Sequence, residues 1–203
     1  FWQFMKGTGE EYGLEINKEV DMRYNVELET EAACKYFKKA YERFGSWTLV
    51  AAAYNAGSAR VAKFIKEQGA ESYYDLLMAE ETERYVFRIL AIKTIFENPE
   101  KYGIYVSENL TYQPYKYNIV LVDKSIPNLT EFAKEHVITY KLLKVFNPWL
   151  RSNSLKVSKG KVYEIKIPKK PFNITHGHVM NLIGDEEFLK NDTIAAQEDA
   201  IYE

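Results

Sequence analysis

The chain has 203 residues, 46% of them hydrophobic and 28% charged, a globular composition with length enough for one medium domain or two small ones. Twenty-seven Lys and Arg stand against 29 Asp and Glu, so at a net charge of −2 no global basic field exists to draw in a nucleic acid. A single cysteine excludes an intramolecular disulfide and a thiol-rich metal site.

Charge is unevenly spread along the chain, with 14 basic and 17 acidic groups in residues 1–106, 10 and 5 in 107–168, and 3 and 7 in 169–203. Texture changes at the same places, which predicts a helical module at 1–106, a linker at 107–116, a small basic module at 117–168 and an acidic extension at 169–203. In the first module Thr30 is placed to cap a helix whose Ala33, Phe37, Ala40 and Phe44 recur every three or four residues, with Gly45 ending it. Cys34 lies in that helix and reads as a small core residue. Ser46 then caps an Ala-rich helix from Trp47 to Ala56, closed by Gly57. Val61, Phe64 and Ile65 mark a third helix. Tyr85, Val86, Ile89, Ile92 and Phe96 mark a fourth, which Asn98-Pro99 terminates.

Beyond residue 110 the pattern alters. Tyr117 to Val122 is β-branched and apolar, Asn128 opens a short helix, Thr139 caps another that Asn147-Pro148 breaks, and Lys161 to Ile167 alternates before Pro168. Strand, helix, helix, strand within so short a span predicts a small α+β unit. The residues after 168 read as an irregular extension. No apolar stretch reaches the roughly 20 residues needed to cross a bilayer. No targeting pattern opens the chain, and Phe1 is not an initiator Met, so the sequence reads as a mature or partial chain, with any targeting signal upstream of it.

Few residues advertise chemistry by themselves. His176 and His178 sit two apart without the further ligands a metal shell needs, so neither a metal nor another cofactor is expected. No nucleophile elbow, phosphate loop or dinucleotide fingerprint occurs. The sequon triplets at Asn109, Asn128 and Asn173 decide nothing. Three strings share a character: Phe1-Trp-Gln-Phe-Met-Lys-Gly-Thr-Gly9, Ala52-Ala-Tyr-Asn-Ala-Gly57 and Glu81-Thr-Glu-Arg-Tyr85. Each sets amide, hydroxyl or carboxyl groups beside aromatic surface, as a sugar groove requires, because sugars present polar edges and apolar faces. Tyr54-Asn55-Ala56-Gly57 also reads, more simply, as a helix C-terminus with Asn55 turned back on the backbone.

Taken in order, and with Tyr12-Gly-Leu14, Ala32-Ala-Cys-Lys-Tyr-Phe37, Arg43-Phe-Gly-Ser-Trp47 and Asn98-Pro-Glu-Lys-Tyr-Gly103, these strings resemble the membrane-bound lytic transglycosylases that carry a goose-lysozyme-like catalytic domain. The likeness covers residues 1–106. The module that follows is similar to a LysM domain through Leu129, Phe132-Ala133, Thr139, Leu143, Asn147-Pro148 and Ile165-Lys-Ile-Pro168, although Pro127-Asn128 replaces the usual Gly-Asp at its first helix. The resemblance therefore implies a mainly α lysozyme-like domain, incomplete at its N-terminus and represented by its C-terminal two-thirds, then a βααβ LysM-like domain and the extension. It implies cleavage of the MurNAc–GlcNAc bond of peptidoglycan with formation of 1,6-anhydro-muramic ends. One Glu serves as acid and then base, and in the family it precedes the Trp-Gln-Phe-Met string, so it lies upstream of Phe1. The present residues alone would be inactive. Glu10, Glu11 and Glu15 follow that string and are not candidates.

Carried over residue by residue, Tyr54 is the supporting catalytic group. Gln3 and Met5 line the groove, Asn55 holds an acetamido group, and Glu81 and Tyr85 close the far wall. Lys6 and Ser58 stand where the family has proline. The implied partners are peptidoglycan glycan strands in the bacterial envelope or periplasm, with any membrane attachment through an upstream lipid anchor and no nucleic acid. A non-catalytic peptidoglycan-binding or scaffold protein on the same fold is the alternative, and a hydrolytic muramidase is a third.

Overall fold

The computed structural model describes residues 1–106 and 114–169. The chain divides into two compact units at Tyr105 and Val106.

The first unit holds five helices: α1 (Lys6–Glu11), α2 (Val26–Phe44), α3 (Trp47–Ala56), α4 (Ser58–Gln68) and α5 (Glu80–Glu97). Helix α2 starts a turn earlier than the Thr30 cap predicts. Asn25 is the cap: its backbone is extended and its side chain accepts from the Leu28 N–H, while Glu27 and Glu29 favour the positive end of the helix dipole. Thr30 instead donates to the Val26 carbonyl and accepts from the Trp2 indole. The buried stripe of α2 runs Glu29, Ala32, Ala33, Tyr36, Ala40, the spacing of one helical face. Cys34 lies about 100° off that stripe and is exposed, which corrects its reading as a core residue. Gly45, at φ 65, closes the helix in the left-handed region where glycine carries no Cβ penalty.

Helix α3 has the predicted limits. Ser46 marks its start without capping it, since its hydroxyl pairs with Thr48. Ala52 and Ala53 are wholly buried and let α3 sit close against its neighbours, forming a core with Leu49, Val61, Tyr73, Leu76, Met78 and Val86. The Tyr73 hydroxyl donates to the carbonyls of Thr82 and Glu83 and so fastens the turn at Tyr73–Asp75 to the first turn of α5. Farther along α5 the periodic apolar residues are uncovered: Ile92 is 57% and Phe96 79% exposed.

The second unit is β1 (Tyr117–Val122), α6 (Leu129–Glu135), α7 (Tyr140–Phe146) and β2 (Tyr163–Pro168), the two strands pairing antiparallel from Tyr117 opposite Pro168 to Val122 opposite Tyr163. Asn128 accepts from the N–H groups of Thr130 and Glu131, and Thr139 from that of Leu142, so both predicted caps form. In β2 the alternate residues Tyr163, Ile165 and Ile167 are buried, the strand packs on α7, and Leu129, Ala133, Leu143 and Leu150 are buried in the same unit. Asn147 is fully buried; its amide donates to the carbonyls of Leu143 and Lys166 and accepts from the Lys166 N–H, tying the end of α7 to β2. The loops that follow β1 and precede β2 are joined through reciprocal hydrogen bonds of 2.8 and 2.9 Å between Ile126 and Leu155. Val137, in the turn between α6 and α7, has φ 58, an uncommon conformation for a β-branched residue. His176, His178, Asn173, Asn109 and the acidic extension from residue 170 lie outside the described residues.

Candidate active-site cleft

The N-terminal segment Phe1–Met5, the end of α3, α1 and α2 wall a cleft of about 650 Å³. Its floor is aromatic. Tyr54 lies edge-on to Trp2, Phe4 and Tyr36, with ring centroids 6.1, 6.0 and 5.4 Å away, and Phe37 closes the cluster at 5.1 Å. The Tyr54 hydroxyl donates to the Trp2 carbonyl. Burial pushes its pKa up to about 12, helped by Tyr85, Glu29 and Tyr36. Tyr36, whose hydroxyl donates to the Ala53 carbonyl at 2.8 Å, is likewise pushed up to about 12, first by burial and then by Tyr12 and Glu11. Both phenols therefore stay protonated at any physiological pH. Because the Tyr54 proton is committed to Trp2, what its oxygen offers the cleft is lone pairs, which suits it to accept from a protonated carboxyl group or a sugar hydroxyl.

Gln3, Met5, Tyr54 and Asn55 all line this cleft. Gln3 has φ 52, and for a residue other than glycine that conformation costs roughly 1–2 kcal/mol. The strain is met on both sides. The peptide before Gln3 is held by Tyr54, and the Phe4 carbonyl accepts from Arg23 Nη1 at 3.0 Å, with Arg23 itself forked onto Asp21 at 2.7 and 3.0 Å. Asn55 Oδ1 accepts from the Thr82 hydroxyl at 2.9 Å, so the start of α5 positions it. Tyr85 lies near enough to Tyr54 to raise its pKa. Glu81 is exposed on the first turn of α5 and is not among the cleft-lining residues.

Several contributors carry no motif. Glu11 and Lys39, paired at 2.8 Å, stand on the rim, and Arg43 reaches Ser58 at 3.1 Å. Glu29 is 1% exposed and accepts from the Trp2 main-chain N–H at 3.3 Å. Its signal in the sequence is faint but real: extending the stripe Ala40, Tyr36, Ala33, Ala32 one turn backward lands on a carboxylate where an apolar residue is due.

Residues 1–77 match the transglycosylase SLT domain, and residues 118–171 match the soluble lytic transglycosylase C-terminal LysM-like domain. The chain joins an SLT domain to a LysM-like domain. Over 175 residues, 83% of its length, it is 32% identical to the membrane-bound lytic murein transglycosylase D of Escherichia coli strain K12, and equally to that of strain O6:H1. The chain spans 37% of the length of these relatives. The helical SLT unit is thus a lysozyme-like fold, and the βααβ unit that follows is the LysM-like one. The SLT match takes in the segment Phe1–Met5, Asp21, Arg23 and Tyr54-Asn55, so the cleft falls wholly inside it, whereas α5 with Glu81 and Tyr85 lies beyond its end.

Proposed function

We propose that this chain is part of a peptidoglycan lytic transglycosylase acting in the bacterial envelope, with residues 1–106 the C-terminal two-thirds of its catalytic domain. The single observation that carries the reading is the cleft in which the strained Gln3, Met5, Tyr54 and Asn55 meet over an aromatic floor inside the SLT match. Hydrophobic sugar faces rest on such a floor while amides and hydroxyls meet their edges. The relatives' name, lytic murein transglycosylase, describes the same substrate.

In this reading the acid is a Glu on polypeptide upstream of Phe1. It protonates the glycosidic oxygen between MurNAc and GlcNAc, and as carboxylate it then takes the proton of the muramic 6-hydroxyl, whose oxygen attacks C1 and closes the 1,6-anhydro ring. No water is consumed, and no second carboxylate is needed, in contrast to two-carboxylate glycosidases. Tyr54 orients the acid through its oxygen lone pairs, Asn55 holds an acetamido group, Gln3 and Met5 line the groove beside the acid, and Tyr85 backs Tyr54 from α5. The apolar residues exposed on α5, Ile92 and Phe96 among them, support an upstream helix that covers them. The LysM-like unit retains glycan at the two loops that Ile126 and Leu155 join, and its positive charge adds attraction to an anionic wall over the roughly 8 Å that physiological salt allows.

The test is to incubate the natural polypeptide containing this chain with purified sacculi and to weigh the released muropeptides. Anhydro ends support the reading. Products one water heavier indicate a hydrolytic muramidase, and binding without release indicates a scaffold protein.

A further inference from the structure

Every polar handle of Trp2 is occupied. Its N–H donates to Glu29 Oε2 at 3.3 Å, its indole N–H to the Thr30 hydroxyl at 2.9 Å, and its carbonyl accepts from Tyr54. The next residue, Gln3, is left-handed at φ 52 and lines the cleft. A non-glycine residue keeps that conformation only when its surroundings over-determine it, and here Trp2 on one side is gripped from α2 and α3 while the carbonyl of Phe4 on the other is held by Arg23.

Glu29 is the unusual member of this frame. It is a carboxylate with 1% exposure on a helix stripe otherwise made of Ala and Tyr, and burying it is costly unless it is hydrogen-bonded. Its Oε2 accepts from the Trp2 main-chain N–H, which makes it a holder of that stretch of main chain. We infer that Glu29 is a positioning residue for glycan recognition: by pinning the Phe1-Trp2 main chain it holds Gln3 in its left-handed conformation at the cleft. The inference rests on the transglycosylase reading for what the cleft binds, and on the geometry alone for how Gln3 is held.

A double-mutant cycle with Glu29→Gln and Gln3→Ala, made in the natural polypeptide, tests it. Glu29→Gln preserves size but removes the charge that faces the Trp2 N–H and leaves one acceptor oxygen in place of two. Turnover and affinity are both measured on soluble peptidoglycan strands, and folding is monitored by thermal unfolding with the core variant Val61→Ala as a control for plain destabilisation. The expected result is that Glu29→Gln lowers kcat and strand affinity about tenfold in the wild-type background and less than about twofold once Gln3 is Ala, because the two residues act through one contact. Val61→Ala lowers the unfolding temperature and leaves kcat in place at temperatures well below it. An equal loss in both backgrounds, or no loss in either, overturns the positioning role. A wild type that binds strands without cutting them sinks the catalytic reading and leaves the clamp to the binding cycle; one that neither binds nor cuts overturns both.

Discussion

Replacing Tyr54 by Phe removes one oxygen and little else. The ring keeps its contacts with Trp2, Phe4, Tyr36 and Phe37, all within 6.1 Å between centroids. What is lost is the hydrogen bond to the Trp2 carbonyl, in a setting that is only part-buried. Such a loss costs about 1 kcal/mol of stability, against the roughly 5–15 kcal/mol that holds a domain folded, so Tyr54→Phe stays folded at 25 °C. If the Tyr54 oxygen also accepts from the catalytic carboxyl, its removal raises the barrier by more than about 1.4 kcal/mol, a tenfold loss of rate. The two effects separate by assay. Thermal unfolding reads the first, and the rate at which anhydro-muropeptides leave sacculi reads the second, both on the natural polypeptide. A variant that unfolds a few degrees lower yet turns over at the wild-type rate removes Tyr54 from the mechanism and leaves it a prop for the Phe1–Met5 segment.

Asn147→Ala strips three main-chain partners at once, the carbonyls of Leu143 and Lys166 and the Lys166 N–H. The LysM-like unit should lose roughly 2–4 kcal/mol, read as a lower denaturant midpoint for its amide signals; an unchanged midpoint would falsify the clamp. Val137→Gly relieves a β-branched side chain at φ 58 where no tertiary contact is at stake, since Val137 is 70% exposed. It should raise the midpoint of the same unit by up to about 1 kcal/mol, as the left-handed penalty exceeds the extra chain entropy of glycine, and a fall in midpoint refutes the strain. Tyr54 and Tyr36 have folded pKa values of about 12 against an ordinary 10.0, so their contribution to stability is complete below pH 10 and disappears as pH rises through 12. Tyr36→Phe should therefore flatten the alkaline fall of the unfolding temperature, and a variant that follows the wild-type curve excludes that residue as its source.

What the sequence showed and what it hid follow from the range of the interactions. The limits of α3 were legible because Ser46 and Gly57 punctuate it locally, and β1 and the caps at Asn128 and Thr139 because each is decided within four residues. Helix α1 was not legible. Its six residues include Gly7 and Gly9, which weaken any helix in isolation. Gly9 is there for a tertiary reason: a Cβ would meet Ile16 at 3.2 Å and Arg23 at 3.4 Å, and Arg23 is the residue that holds the Phe4 carbonyl. The start of α2 was misplaced because Asn25 and Thr30 are both competent caps, and the choice went to Asn25 once Thr30 was engaged by Trp2, 28 residues away. The same distance hid Glu29. A carboxylate that satisfies a main-chain donor 27 positions earlier leaves no local spacing to read, only an interruption in an apolar stripe. The cleft was thus visible through its aromatic and amide lining, which local strings carry. Its frame of Glu29, Thr30, Asp21 and Arg23 emerges only when α2 is folded against the segment it supports.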